Sequence, residues 1–172
     1  MPISDERRHI VVADAGPLIA LGRVNALDLL PRLFLRVDVT ETVIAECLAR
    51  PDLPDAAHIA HALEQGWLQR CRDLAGTTSV ALDAGESSAI AYALAAGIGI
   101  LLDDRVAVVH ARAMGLKVIG TLGVLLMAKK HGHLATIAPV IDLLAAGGGH
   151  HLSKSAITAA LALAGETAED QS

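Results

Sequence analysis

The sequence predicts an α/β fold in which a central parallel sheet of about five strands is covered by helices on both faces. Two observations support this fold class. Short β-branched runs alternate with segments that show helical spacing of apolar residues from residue 9 to residue 165. Apolar residues make up 53% of the 172 residues, which is enough to build one sizeable core. The chain is therefore expected to form a single domain.

Five segments are predicted to be strands because they are short, β-branched or alternating, and bounded by turn residues. They are residues 9–13, 35–39, 67–71, 98–102 and 117–120. Asp14 directly follows the first strand, and Asp103 and Asp104 directly follow the fourth. Because ligands of such sheets sit at the carboxyl ends of the strands, these acids are expected to reach one crevice.

Helices are predicted between and after the strands from apolar spacing and from cap residues. They are residues 18–30, 40–48, 56–65, 83–97, 105–114, 121–130, 136–146 and 155–164. Thr40, Asp83 and Thr121 are expected to be N-caps. Pro51, Pro54 and Asp55 predict a turn. The remaining polar stretches predict a flexible N-terminus over 1–8, a loop over 72–80 and a flexible tail over 166–172, around a single domain at 9–165.

Composition and charge limit the classes of function. The formal net charge of −5 argues against a broad nucleic-acid surface, although it permits an enzyme whose acids gather around a cation. Phe34, Trp67 and Tyr92 are the only aromatic residues, so base stacking on aromatic platforms is not expected. Two cysteines predict free thiols rather than a disulfide framework. Neither a secretory signal nor a membrane span is predicted, so we expect a cytoplasmic protein without a membrane partner.

Four acidic residues form the candidate catalytic group. Asp14 and Asp103 follow strands, Glu86 lies in the first turn of the helix before the fourth strand, and Glu46 flanks the apolar stripe of the second helix. Carboxylates that converge without lysine or arginine repel one another, and a hard divalent cation is the natural compensation. Such a cation supports phosphodiester hydrolysis, because it neutralises the phosphate and acidifies water.

Each acid also has a purely structural interpretation. Asp14, before Gly16-Pro17, fits a turn or cap position. Asp83 and Glu86 have the spacing of a capping box, and Asp83 is interpreted as a cap alone. Asp104 fits the N-cap of the helix that follows it. No single residue is specific, and the prediction depends on their joint placement.

Four segments carry a resemblance to a known family. They are VVADAGPLIALGRVNALDLLPRLF (11–34), VTETVIAECL (39–48), LDAGESSAIAYAL (82–94) and GIGILLDDRVAVVHARAMGLKVIGTLGVLLMAKKHG (97–132). The chain resembles PIN-domain proteins, in particular the VapC-like subgroup of small prokaryotic ribonucleases. The resemblance implies a three-layer α/β/α fold and an endoribonuclease that uses Mg²⁺ or Mn²⁺. It also implies the toxin role of a type II toxin–antitoxin pair, a cognate antitoxin partner and a homodimer.

The resemblance assigns roles to the acidic residues. Asp14, Glu46, Glu86 and Asp103 match the four family acids in order, and all four are expected to be catalytic. Metal ligands are expected at Asp14, Glu86 and Asp103, with Asp104 sharing the metal, while Glu46 orients a water.

One hydroxyl position matches the family and another departs from it. Thr121 falls where family members often place a hydroxyl near the site, so a substrate contact is expected there. Many members have Ser or Thr directly after the first acid, whereas this chain has Ala15-Gly16. The departure removes one hydrogen bond to a metal ligand or phosphate.

Basic residues of the second half predict the RNA contacts. Arg105 and Arg112 are seven residues apart and share a helix face, and Lys129 and Lys130 offer a second contact. The alternative is that these residues form an ordinary solvated face.

Two rival functions remain. A PIN-fold module that binds RNA or a protein partner without cutting is favoured by the Ala15 departure and by the acidic net charge. A phosphoacceptor receiver domain requires paired acids after the first strand and a lysine after the fifth. Here the acidic pair follows the fourth strand, and Gly120-Thr121 follows the fifth.

Overall fold

The core of the protein is an all-parallel sheet of five strands. The computed structural model describes residues 9–75, 81–148 and 152–167. The strands are β1 Ile10–Ala13, β2 Arg36–Thr40, β3 Gln69–Cys71, β4 Gly99–Leu101 and β5 Val118–Ile119. Their order is β3-β2-β1-β4-β5, which confirms the predicted parallel sheet. The predicted N-terminal segment 1–8, residues 76–80 of the predicted loop and residues 168–172 of the predicted tail lie outside the described residues.

Helices cover both faces of the sheet. They are α1 Ala15–Arg23, α2 Leu29–Leu33, α3 Glu41–Cys47, α4 Pro54–Glu64, α5 Ala84–Ala96, α6 Arg105–Ala113, α7 Thr121–Lys130, α8 Ala138–Ala146 and α9 Lys154–Leu163. Tyr92 of α5 contacts Asp38, which is paired in register with Val12 of β1. Gly123 of α7 lies against Ile119, which is in register, through Leu101 of β4, with Ala13 of β1. Since consecutive residues of a strand point to opposite faces, α5 and α7 form separate layers around the sheet.

The strand order creates a switch point between β1 and β4. β2 and β3 are added on one side of β1, and β4 and β5 on the other. In open parallel sheets the crevice at this point, beyond the carboxyl ends of the strands, is where ligands bind. Asp14 follows β1 and Asp103 lies just beyond β4, so the topology brings the two predicted acids to this crevice.

The predicted helix over residues 18–30 is wrong, because the chain turns in its middle. α1 ends at Arg23 and α2 begins at Leu29. Asn25 has a φ of 53°, a left-handed conformation that asparagine tolerates better than most residues. α1 also begins earlier than predicted, with Pro17 in its first turn, where a missing N–H costs no helical hydrogen bond.

The cap predictions are confirmed at some helices and wrong at others. The Thr40 hydroxyl accepts a hydrogen bond from the Val43 N–H at 3.4 Å, as expected for the cap of α3. At α7 the N-cap is Gly120, and Thr121 is the first helical residue, so the predicted Thr121 cap is wrong. Pro54 opens α4 instead of lying in a turn before it.

The C-terminal end of the described chain is anchored to the domain. Glu166, expected in the flexible tail, accepts hydrogen bonds from the N–H groups of Ile137 and Ala138 at 2.8 and 2.9 Å. It also accepts one from Lys129 Nζ at 2.7 Å, and Lys129 donates to the Ala164 carbonyl as well. Glu166 therefore joins the ends of α7 and α9 to the start of α8.

Two further predictions concern the thiols and the membrane. Cys47 is buried and Cys71 is half-buried, and both are free thiols. In the part of the chain that the structure describes, no helix has the length and apolar character required to span a bilayer.

Candidate metal centre

Asp14 lies at the switch point of the sheet. Its N–H donates to the Leu101 carbonyl at 3.0 Å, which extends the β1–β4 pairing by one residue. The side chain is only 6% exposed, and its Oδ1 atom is buried without a hydrogen-bond partner. Burial, and secondarily the nearby Asp83, Glu86 and Glu46 carboxylates, raises the pKa of Asp14 from 3.8 to about 7, against the effect of the Ala15 N–H.

Three carboxylates converge at this point. Oxygen atoms of Asp14, Glu46 and Asp83 lie within 4.8 Å of one another. Burial and the neighbouring Asp83 raise the pKa of Glu46. Among the described residues, no lysine or arginine forms an ion pair with any of the three. The group therefore carries uncompensated negative charge.

The N-terminus of α5 holds the Glu46 carboxylate. The Gly85 N–H, in the first turn of α5, donates to Glu46 Oε1 at 2.9 Å. A Cβ atom added at Gly85 would lie only 2.8 Å from Glu46 Cδ, which is closer than real Cβ contacts. Glu46 thus occupies the space that any other residue at position 85 would need for its side chain. Gly85 was not predicted from the sequence as part of the site.

The Asp83 carboxylate both caps α5 and lies beside Asp14 and Glu46. Its Oδ1 accepts from the Glu86 N–H at 2.7 Å, and Glu86 Oε2 accepts from the Asp83 N–H at 3.1 Å, which confirms the capping box. The Asp83 carboxylate also lies in the converging group, a placement that the capping-box spacing did not predict. An available signal was the residue type, because an aspartate cap has a second oxygen that serine and threonine lack.

Glu86 lies beside this group rather than within the three converging residues. Its side chain is 7% exposed and accepts the reciprocal hydrogen bond of the capping box. Burial raises its pKa, as do the nearby carboxylates of Asp83, Asp104 and Glu46. Glu86 therefore adds to the negative potential around Asp14.

Asp103 approaches Asp14 across Gly16. A Cβ atom added at Gly16 would lie 3.9 Å from Asp103 Cβ and 4.0 Å from Asp14 Oδ2. The Asp103 carboxylate accepts two hydrogen bonds from Thr121, one from its N–H to Oδ1 at 2.7 Å and one from its hydroxyl to Oδ2 at 2.5 Å. Thr121 is completely buried, so its hydroxyl orients Asp103 instead of facing a substrate as expected.

Asp104 is the N-cap of α6. Its Oδ1 accepts from the Ala107 N–H at 2.9 Å, which confirms the structural interpretation of this residue. Its side chain is exposed, and it lies close enough to Glu86 to raise the pKa of that residue. If Asp104 shares a metal, as expected, it must do so through its second carboxylate oxygen, because Oδ1 caps α6.

The predicted basic contacts do not form one surface. Arg112 and Lys130 line the same groove, together with Lys117, another basic residue of the second half of the chain. Arg105 is exposed at the start of α6 and is not among the groove residues. Lys129 donates hydrogen bonds to Glu166 and to the Ala164 carbonyl, so it has a structural role instead of the expected contact with RNA.

The donor set fits a hard divalent cation. Its atoms are carboxylate oxygens, the ligands that Mg²⁺ and Mn²⁺ prefer. The buried and unpartnered Asp14 Oδ1 is the atom that most needs a cation, because an unpaired buried carboxylate oxygen is costly. Asp14, Glu46 and Asp83 can hold such an ion, with Glu86 and Asp103 beside them.

The chain matches a known family and is similar to a solved structure. The model of the family DUF3368, described as a PIN domain, matches residues 10–166. No curated protein matches the chain. Among solved structures the chain is similar to a PilT N-terminus domain protein, SSO1118, from the hyperthermophilic archaeon Sulfolobus solfataricus P2. The two are 16% identical over 84% of this chain and 98% of that chain, with a TM-score of 0.49.

Proposed function

This chain belongs to the PIN-domain family, and on that premise we propose that it is a divalent-metal-dependent endoribonuclease. The family has a nuclease-type fold, and the acidic group lies at the switch point where such a sheet binds ligands. The observation that carries the proposal is the buried Asp14 carboxylate, whose Oδ1 lacks a partner while two further carboxylates converge on it. A bound cation would compensate the charge of this buried carboxylate.

The proposed roles follow from what each side chain contacts. Asp14 and Asp83 would hold Mg²⁺ or Mn²⁺. Asp103, which is oriented by Thr121, would be a further metal ligand, as expected from the sequence. The ion would neutralise charge on the phosphate and lower the pKa of water. Glu46, fixed by the Gly85 N–H, orients the attacking water.

Glu86 and Asp104 complete the acidic side of the site. Glu86 keeps the negative potential high around Asp14, which favours a cation over water. Asp104 keeps one oxygen for a shared metal while the other caps α6. Neither Glu86 nor Asp104 is proposed to contact the substrate.

The test is cleavage of a labelled RNA by the purified chain with Mn²⁺, with Mg²⁺ and with EDTA. We expect cleavage with the metals, none with EDTA, and at least a hundredfold loss in Asp14→Asn. Asp142→Asn, at an exposed position of α8, is the matched control and should cut normally. Metal-independent cleavage, or equal cleavage by Asp14→Asn, would contradict the proposal.

A non-catalytic module is the second candidate, because Ala15 stands where many family members have a hydroxyl. A module of this kind would bind RNA or a protein partner, and it would form no cleavage product with Mn²⁺ or with Mg²⁺. The two candidates are therefore separated by the cleavage experiment itself.

We also propose the finer placement that the sequence resemblance implies. In it the chain is VapC-like and cytoplasmic, acts as the toxin of a type II pair, binds a cognate antitoxin and forms a homodimer. The support is the resemblance of segments such as 97–132 and the high apolar content. Expression of the chain should arrest growth, and co-expression of a neighbouring small reading frame should relieve it. Light scattering of the purified protein measures the dimer.

A further inference from the structure

A groove of about 960 Å³ lies along β5 and α7. Gly97, Gly99, Gly120 and Gly123 line it and contribute no side chains. Aliphatic residues, among them Leu126 and Met127, provide apolar surface inside it. The groove is therefore broad, with an apolar interior and open sides.

The rim of this groove is cationic. Arg112, Lys117 and Lys130 line it and are exposed to solvent. None of the three forms an ion pair within the described part of the chain. No aspartate or glutamate occurs among the described lining residues, although the whole chain carries a net charge of −5. The charge of the groove is thus opposite to that of the chain and fits an anionic ligand.

One end of the groove, at Gly120, lies beside the acidic site, although none of the site's carboxylates lines the groove. Gly120 lines the groove, and a Cβ atom added to it would lie 2.9 Å from Asp103 Oδ1. α7 begins at Thr121, which holds Asp103, and ends at Lys130 on the rim. With a rise of 1.5 Å per residue the helix leads about 13 Å away from the acidic site. A chain that lies in the groove would therefore have one end near Asp103.

We propose that this groove holds the single-stranded RNA on one side of the bond that is cut. Arg112, Lys117 and Lys130 contact its phosphates, and its bases lie against the aliphatic interior. The inference rests on the proposed nuclease function, since it names the path of that substrate. RNA is favoured over an acidic protein segment because Gly120, at one end of the groove, lies beside Asp103, a proposed metal ligand. Phosphate contacts with no base-specific group make the binding tolerant of sequence.

The test measures RNA binding separately from cleavage. A fluorescent twelve-nucleotide oligouridine is titrated with the full chain in EDTA, at several salt concentrations. Arg112→Gln, Lys117→Gln and Lys130→Gln should each raise Kd about fivefold at 0.1 M salt, and the triple variant about a hundredfold. The slope of log affinity against log salt should become shallower by about 2 in the triple variant.

Controls separate charge from folding. Lys154→Gln, at an exposed lysine at the start of α9, should change neither Kd nor slope. Lys130→Arg should keep the affinity that Lys130→Gln loses. Thermal denaturation should show the same Tm for the triple variant and the unaltered chain, and with Mn²⁺ the triple variant should raise KM more than it lowers kcat.

The outcomes distinguish this inference from the function it rests on. An unchanged Kd and slope in the triple variant overturn the groove and leave the nuclease proposal in place. Loss of RNA binding in the triple variant, with no cleavage by the unaltered chain, supports the groove and overturns the nuclease. An oligoglutamate peptide that binds the chain but not the triple variant, while RNA binding stays unchanged, assigns the groove to an acidic protein and overturns the inference.

Discussion

Two buried aspartates on neighbouring strands have opposite surroundings. Asp38, within β2, is 1% exposed and receives two hydrogen bonds from Arg36, at 2.7 and 3.0 Å. The Tyr92 hydroxyl donates a third at 3.0 Å. Asp14, at the end of β1, is 6% exposed, has further carboxylates beside it and has an oxygen without a partner. The charge of one is compensated by its own cation, and that of the other is not.

The difference separates an acid whose charge is compensated within the protein from an acid whose charge is not. The hydrogen bond from Arg36 to Asp38 raises the pKa of Arg36. Burial, and secondarily the hydrogen bond to Asp38, raises the pKa of Tyr92 to about 12. The Asp38 network is therefore complete within the protein. The Asp14 group has no positive charge beside it. Adding a cation to the Asp14 group, or removing Arg36 from the Asp38 network, can therefore distinguish the two networks experimentally.

The largest effect is expected from Asp14→Asn on the pH dependence of stability without metal. The folded pKa of about 7 lies above the ordinary 3.8, so the folded state binds more protons between these values. The free energy of unfolding should fall as pH rises from about 4 to about 7, by on the order of 4 kcal/mol. The variant should lack this loss and be the more stable protein at pH 8 in EDTA.

Urea denaturation at pH 4, 6 and 8 measures the effect. Mn²⁺ should stabilise the unaltered chain at pH 8 and leave Asp14→Asn unchanged, because the ion binds the folded carboxylates. Parallel stability curves for the two proteins would show that Asp14 has no uncompensated charge.

Arg36→Met breaks the compensated network and should cost about 3 kcal/mol of unfolding free energy. This is the lower end for a buried pair, because about half of the Arg36 side chain is exposed. Arg36→Met with Asp38→Asn should recover most of the loss, since the unpaired charge is then gone. Urea denaturation of the two variants checks this, and a double variant no more stable than the single one would show that packing dominates.

Gly85→Ala should displace the Glu46 carboxylate and lower Mn²⁺ affinity at least tenfold, measured by calorimetry. Alanine is the better helix former by about 1 kcal/mol, so the helix itself should not be weakened. Glu46→Asp in the Gly85→Ala background should restore part of the affinity, because the shorter side chain clears the new methyl group. Unchanged affinity in Gly85→Ala would mean that Glu46 has room to move.

Tyr92→Phe is the mildest change. It removes one of three hydrogen bonds to Asp38 and should cost about 1 kcal/mol of stability. Mn²⁺ affinity should stay the same, because Tyr92 belongs to the compensated network. A fall in Mn²⁺ affinity would show that the two networks are coupled through β1 and β2.

The limits of sequence interpretation are clearest at individual residues. Asp14 and Asp103 could be found because each follows a strand, which local periodicity reveals. Asp83 was missed as a member of the group because the capping box already explained its spacing to Glu86. Thr121 and Lys129 were assigned to the substrate, whereas their actual partners, Asp103 and Glu166, are 18 and 37 residues away.

By itself the sequence determined the alternation of strands and helices and the caps at Thr40, Asp83 and Asp104. These features depend on short-range spacing and on hydrogen bonds three residues apart. Only the tertiary structure decided that β4 pairs with β1, that Glu46 accepts a hydrogen bond from Gly85, and that Gly120 of the basic groove lies beside Asp103. Glu46 and Gly85 are 39 residues apart, and such contacts arise from the docking of whole elements, which no local pattern encodes.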